Sequence, residues 1–278
     1  MIARPFIKWV GGKRQILPFI LSRLPSTFNS YYEPFVGGGA LFWSLYNAGR
    51  LSDIKNGNVV LSDANLRLIR TYRAVRDDVE LVIDVLRACI NSKDFYLEMR
   101  ASDVDAMSNA NVAAWFIYLN KCGFNGLYRV NSKNQFNVPY GDQPTAQVGP
   151  LTDADHLRVC SMALQGVELR NCDFQAAVDE AWTGSLVYFD PPYVPLTATS
   201  NFTSYTAGGF GVEEQVRLRD MARVLKQGRG THTILSNSSA PLVYDLYRDG
   251  FEIAEVRAVR SLNRDGDKRG AVKELVIS

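Results

Sequence analysis

The sequence predicts an α/β fold, a doubly wound parallel sheet interrupted by an inserted helical and β-hairpin segment. Three observations carry that expectation. Residues 31–65 read as strand, glycine turn, amphipathic helix over 40–47 and a second strand, Asn58-Val59-Val60-Leu61, which together make one βαβ unit. Leu186-Val187-Tyr188-Phe189 is an apolar run that stops abruptly at Asp190, as a strand buried on both faces does. Between them, residues 66–119 hold no such strand and repeat apolar residues at helical spacing.

Within the helical stretch, Leu81, Val82, Val85 and Leu86 are assigned to one buried face, and Val112, Trp115, Phe116 and Leu119 to another. Gly123-Phe124-Asn125-Gly126, then residues 127–130, a polar turn at 131–134 and residues 135–141 read as a β-hairpin. The α/β pattern returns from Val167: a helix over 212–225, a strand over 231–235 and a last strand around 274–277 complete the sheet. The expected organisation is a discontinuous catalytic domain, 1–65 and 151–278, split by an insertion over 66–150.

The 278 residues are 46% hydrophobic and 22% charged, the composition of an ordinary globular protein. A formal net charge of +2 requires any nucleic-acid surface to arise from local segregation of charge. Four cysteines, Cys89, Cys122, Cys160 and Cys172, without a Cys-x-x-Cys pair, and two histidines argue against a zinc site and for free thiols. Neither a signal-peptide pattern nor a run of ~20 apolar residues is present, so a cytoplasmic enzyme with no membrane association is expected. A monomer is expected as well.

Asp190-Pro191-Pro192-Tyr193 places a carboxylate, a rigid turn and an aromatic ring at the sheet edge where α/β enzymes bind ligands. The nitrogen lone pair of an aromatic amine such as adenine N6 is delocalised into the ring. Acceptors aimed at both of its hydrogens, the Asp190 carboxylate and the Pro191 carbonyl, would favour a tetrahedral nitrogen able to attack a methyl donor. Tyr193 would stack on an extruded base. Read as structure alone, Pro-Pro ends a strand and Asp190 caps a turn.

Upstream, Glu33-Pro34-Phe35-Val36-Gly37-Gly38-Gly39-Ala40 lets backbone approach a cofactor, but lacks the Gly-x-Gly-x-x-Gly spacing of dinucleotide binders. Asp63 ends the second strand, placed either for ribose hydroxyls or to cap the helix that starts near Leu66.

With these motifs in this order, the chain resembles the Dam-type DNA adenine-N6 methyltransferases nearly end to end. Further matching stretches are Lys8-Trp9-x-Gly11-Gly12-Lys13, Ser62-Asp63-x-Asn65, Tyr118-Leu119-Asn120-Lys121, Phe124-Asn125-Gly126-Leu127-x-Arg129, Phe136-Asn137-Val138-Pro139, Cys172-Asp173-Phe174 and Asn201-Phe202-Thr203-x-Tyr205. The resemblance implies a Rossmann-like S-adenosylmethionine-dependent methyltransferase sheet and a target-recognition insertion. It also implies that Trp9, Lys13, Phe35, Val36, Gly37, Gly38, Gly39, Asp63, Asp173, Phe174 and Asp190 form the cofactor site, with double-stranded DNA as partner.

Residues 106–141 contain no Asp or Glu but interleave Lys121, Arg129 and Lys133 with Phe124, Tyr128, Phe136 and Tyr140. An acid-free basic and aromatic hairpin suits a DNA groove; its competing role is a surface hairpin whose aromatics pack on the helices. Arg129 suits guanine, Leu127 and Pro139 suit thymine methyls, and Phe124 suits a wedge into the base stack. The resemblance implies that Lys8, Leu127, Arg129 and Pro139 read a GATC-like site, with Asn125 beside them. Arg257, Arg260, Arg264, Lys268 and Arg269 form a second basic cluster suited to phosphates. Two other activities remain open for such a chain: methylation of a protein glutamine or an RNA base, and DNA binding without catalysis.

Overall fold

A computed structural model describes residues 1–54, 57–141, 153–196, 209–259 and 271–278. Seven strands form one mixed sheet: β1 (Ser30–Glu33), β2 (Val59–Ser62), β3 (Glu168–Arg170), β4 (Ser185–Phe189), β5 (His232–Ser238), β6 (Ile253–Val259) and β7 (Ala271–Ile277). Their order across the sheet is β3-β2-β1-β4-β5-β7-β6. The first five run parallel, and β7 lies antiparallel between β5 and β6. The chain winds outward from β1 through β2 to β3, then restarts at β4 beside β1 and winds the other way. The switch point therefore lies between β1 and β4, where open α/β sheets bind ligands at their carboxyl ends.

Strand β4 demonstrates why the apolar run is continuous. Leu186 and Tyr188 enter one core cluster, Val187 and Phe189 the other, so both faces of this central strand are covered. The first cluster continues without a break from Tyr31 and Leu61 into the helices that follow β2.

Those helices are α3 (Leu66–Asp77), α4 (Val79–Arg87), α5 (Lys93–Ala101), α6 (Asn109–Cys122) and, after the hairpin, α7 (Ala154–Leu164). Asn65, Ser92, Ser108 and Asp153 cap α3, α5, α6 and α7 through their side chains. Helix α6 is buried nearly all round, with Val112, Trp115, Phe116 and Leu119 inside as expected. Helix α4 turns differently from the expectation. Val82, Ile83 and Leu86 are buried, whereas Leu81 is 53% exposed. The i, i+1, i+4 set centred on Val82 and Leu86 faces the core, and Leu81, one step before it, is carried around to solvent.

Helix α2 (Ala40–Asn47) and the strand at β2 stand where the sequence places them, and β5 and β7 run longer than predicted. Helix α9 (Val212–Arg223) ends earlier than expected, because the last turn widens into a π-helix over Val224–Gly228. Helices α1 (Leu17–Ser22), α8 (Phe174–Ala177) and α10 (Pro241–Tyr247) complete the set. Among the described residues, no helix is long and apolar enough to cross a membrane and no group of metal-ligating side chains gathers. Cys122 and Cys160 are buried free thiols; Cys89 and Cys172 are half-buried.

The two neighbours on α4 offer a direct check on its orientation. Ile83→Ala should cost roughly 2–5 kcal/mol in denaturant unfolding, and Leu81→Ala no more than about 0.5 kcal/mol. The opposite ranking would mean that the helix presents its other face.

Candidate active site

Asp190 stands one residue beyond β4, on the switch-point edge. One oxygen, Oδ1, accepts from the Ser236 hydroxyl at 2.8 Å, and Ser236 in turn contacts the Tyr188 hydroxyl at 3.0 Å. The other, Oδ2, meets the Lys13 ammonium at 2.8 Å. Lys13 is 5% exposed, so its charge must be satisfied internally. Besides Asp190 it donates to the Gly11 carbonyl and lies 4.6 Å from the centroid of the Tyr193 ring. Burial raises the Asp190 pKa; the Lys13 charge and the hydrogen bonds from Lys13 and Ser236 oppose the shift.

The loop after Asp190 is held by buried side chains. The Tyr193 hydroxyl donates to Glu274 on β7 at 3.1 Å. Gln215 of α9 donates to the Pro192 carbonyl at 2.9 Å, and Asn237 of β5 accepts from the Val194 N–H at 3.1 Å.

Across the switch point, the glycine turn joins β1 to α2. Gly37 has φ +45°, and a Cβ there would meet the Trp9 indole at 2.5 Å, so glycine is what allows Trp9 to lie on the turn. Behind it, the Trp43 indole donates to the Gly38 carbonyl and the Tyr72 hydroxyl to the Gly37 carbonyl. The turn is thus pinned from its core side. Asp63 accepts from the Gly37 N–H at 3.2 Å and from the Asn65 N–H at 2.9 Å. Burial pushes its carboxyl up to about 6 against these two hydrogen bonds. Since Asn65 supplies the helix cap, Asp63 is released from the capping role and left at the mouth of the cleft beside the glycines.

Phe35 stacks on Phe174 at 5.5 Å between centroids and meets Phe210 edge-on at 5.6 Å. Val36 is buried in the other core cluster, with Tyr31 and Leu61. Asp173 caps α8 through the Gln175 N–H and pairs with Arg217 at 3.2 Å, while the Arg217 guanidinium covers Phe174. Trp9 thus lies on the glycine turn, the turn on Asp63, and Lys13 on the loop at Asp190, while Phe35, Phe174 and Phe210 form an aromatic cluster next to the turn.

Trp9 also stacks against Phe116 and Tyr128, at 6.3 and 5.8 Å, which ties the cleft to the hairpin. The hairpin pairs through the isolated bridges Gly123–Tyr140 and Val130–Phe136. Its side chains alternate: Tyr128, Val130, Phe136 and Val138 are buried, whereas Phe124, Asn125, Arg129 and Pro139 are exposed and Leu127 is half-buried. Tyr128 and Phe136 thus pack inward on α6 rather than joining the basic residues on the outer face, because period-two alternation sends them to the core. Arg129 is poised outward by Asn137, which accepts from it at 2.7 Å.

Exposed Lys8 is set beside the hairpin by buried Asn120. That side chain accepts from the Lys8 N–H and donates to the Lys8 and Gly126 carbonyls, each at 2.8 Å. Gly126, at φ +67°, has the Lys8 side chain where a Cβ would stand. The 201–205 motif and the cluster members Arg260, Arg264, Lys268 and Arg269 lie outside the described residues.

Sequence reasoning did not single out Ser236, Gln215 or Asn237. A polar Ser-Asn-Ser run at the carboxyl end of an otherwise apolar strand was the available signal, and it falls just past Leu235, where the strand was expected to end.

The family model of the D12 class N6 adenine-specific DNA methyltransferases matches residues 9–262. The chain belongs to that family. It is 43% identical to a type II methyltransferase of Lactococcus lactis subsp. cremoris, over 99% of this chain and 95% of the relative. A type II methyltransferase of Methanocaldococcus jannaschii is 38% identical over 100% and 99% of the two chains. A DNA adenine methylase of Haemophilus influenzae is 33% identical over 98% and 92%. As a D12-class enzyme the chain is an adenine-specific DNA methyltransferase on an α/β sheet, as its motifs imply.

One further carboxyl lies near Asp190. Glu33, at the end of β1, is buried and accepts from the Tyr31 hydroxyl at 2.7 Å. Burial first, and Asp190 further, push its pKa up from 4.5 to about 8, against the Tyr31 hydrogen bond. The folded protein keeps a proton that the unfolded chain releases, so stability contributed by Glu33 falls as pH rises from ~4.5 to ~8. Glu33→Gln should remove that slope and leave the variant more stable than the parent above pH ~8, by up to about 5 kcal/mol. Denaturant unfolding across this range checks it, and parallel profiles would contradict the assignment.

Proposed function

We propose that the enzyme transfers a methyl group from S-adenosylmethionine to N6 of an adenine extruded from duplex DNA, at GATC or a close relative. One observation carries this reading: the Lys13 ammonium donates to Asp190 Oδ2 while lying over the Tyr193 ring. A hydrogen-bond donor on that oxygen and a flat contact on that ring are the two demands an adenine amino group would make. Lys13 yields Oδ2 as the base enters.

The residues of the cleft suit the methyl donor. Asp63 offers a half-buried carboxylate at the end of β2, and the glycine turn admits backbone close by. Phe35 and Phe174 provide an apolar wall for a purine, with Asp173 at its edge. Trp9, Val36 and Lys13 close the remaining sides. The bound cofactor would supply a sulfonium methyl with a neutral thioether as leaving group, giving S-adenosylhomocysteine.

The chain's own residues do the rest. Asp190 Oδ2 and the Pro191 carbonyl accept the two N6 hydrogens, drawing the lone pair out of the ring and toward the methyl carbon. Ser236 keeps Oδ1 engaged, so Oδ2 is the oxygen turned to the substrate. Tyr193, anchored by Glu274, holds the ring plane. As the N–C bond forms, N6 loses one proton to Oδ2, whose raised pKa favours holding it. Asp190, Pro191, Pro192 and Tyr193 are the catalytic loop.

On the recognition unit proposed for 66–150, Arg129 and Lys8 are assigned to guanine, and Leu127 and Pro139 to thymine methyls. Phe124, 44% exposed beside Asn125, is the wedge.

Incubating duplex plasmid with labelled cofactor and mapping the modified adenines by sequencing should yield methyl-N6-adenine at GATC. Modification of another motif would overturn the target, and label entering RNA or a protein glutamine in place of DNA would overturn the substrate. Asp190→Ala should abolish transfer and leave DNA association measurable. In the same assay Arg129→Ala should cost roughly 1–3 kcal/mol of discrimination at one base. Binding should weaken steeply with salt, and a flat response would contradict the assigned basic surface.

A further inference from the structure

The loop that carries the chemistry contains two consecutive prolines, so it lacks two backbone donors with which to fix itself. Its carbonyls must be aimed from outside. Three polar side chains supply the aim, and all are buried: Gln215 at 2%, Asn237 at 0% and Ser238 at 2% exposure.

They form a directional chain. The Val194 N–H, which can only donate, points at Asn237 Oδ1 (3.1 Å), and the Ser238 N–H reaches the same oxygen at 2.8 Å. That fixes the Asn237 amide so that Nδ2 donates to Gln215 Oε1 at 3.0 Å. Gln215 is then left with its Nε2 facing the Pro192 carbonyl, which can only accept, at 2.9 Å. Both ends of the relay are backbone groups of one polarity, so neither amide can flip without leaving a buried group unpaired. Ser238 holds the same end of the loop by donating to the Val194 carbonyl at 2.6 Å.

We propose that Gln215, oriented by Asn237, is a positioning residue for methyl transfer: by engaging the Pro192 carbonyl it sets the peptide planes of the loop so that the Pro191 carbonyl faces the substrate amine. Of the two proline carbonyls, that of Pro192 is drawn toward α9. The division mirrors the one at Asp190, where Ser236 takes one oxygen and leaves the other. Neither Gln215 nor Asn237 touches the reacting atoms. This inference rests on the proposed role of the loop in holding adenine N6.

The test is the single-turnover transfer rate to duplex DNA, measured with cofactor and DNA affinities. Gln215→Met and Gln215→Glu should each lower the rate about 10²-fold, the cost of a misplaced catalytic group, while both affinities stay at parental values. Gln215→Glu adds a signature that a packing defect lacks. Once protonated, its carboxyl regains a donor toward Pro192, so its rate relative to the parent should recover as pH falls. Asn237→Asp retains both accepted hydrogen bonds and loses only the donor to Gln215. It should slow transfer in the same direction by a smaller factor, and it carries the test should the Gln215 variants not fold. Parental rates in these variants, or a Gln215→Glu deficit that is flat with pH, would overturn the inference. Absence of transfer to DNA adenine by the unaltered enzyme would instead sink the functional reading on which it rests.

Discussion

Asp190 is a carboxylate placed where water is largely excluded, and its two oxygens are given different work. Such a charge is costly to bury unless each lone pair finds a partner. Ser236 meets one oxygen and Lys13 the other. Lys13, itself buried, needs Asp190, the Gly11 carbonyl and the Tyr193 ring in return. The pair therefore binds the N-terminal segment to the loop after β4, bringing together residues almost the length of a domain apart in sequence. It also sets the Lys13 ammonium on Asp190 Oδ2 and over the face of the Tyr193 ring.

The N-terminal segment does more than carry that lysine. Within six residues it presents Lys8 beside the hairpin, Trp9 to the glycine turn and Lys13 to the loop after β4. Asn120 fixes the first of these from α6, and the stack of Trp9 on Tyr128 and Phe116 fixes the second. One short segment thus touches the hairpin, the glycine turn and the loop after β4.

Much of this was legible in the sequence, for identifiable reasons. A continuous apolar run located β4, and a period of 3.6 residues α2 and α6, because those elements are buried deeply enough for burial to write their pattern. Strand β6 escaped, since an edge strand that alternates Ile, Ala, Glu and Val carries little contrast. Leu81 misled because a run of consecutive apolar residues, Leu81-Val82-Ile83, fits more than one helical face. At the site, Asp190, Tyr193, the glycine turn and Asp63 stood out by type and order. Lys13 and Trp9 were reached only through the family resemblance, since a lone lysine and a lone tryptophan carry no spacing. Ser236, Gln215 and Asn237 act by holding other groups, Gln215 through a backbone carbonyl, and a residue that acts this way carries no spacing of its own.

The central claim is that the pocket closed by Lys13 and Asp190 is the seat of the extruded adenine. A crystal structure of the enzyme with S-adenosylhomocysteine and a duplex containing its target tests this most directly. The account predicts an adenine lying on Tyr193, with N6 about 2.7–3.2 Å from Asp190 Oδ2 and the Pro191 carbonyl and the Lys13 ammonium moved off that oxygen. An adenine held elsewhere in the cleft, with the Lys13–Asp190 pair still closed, would contradict it.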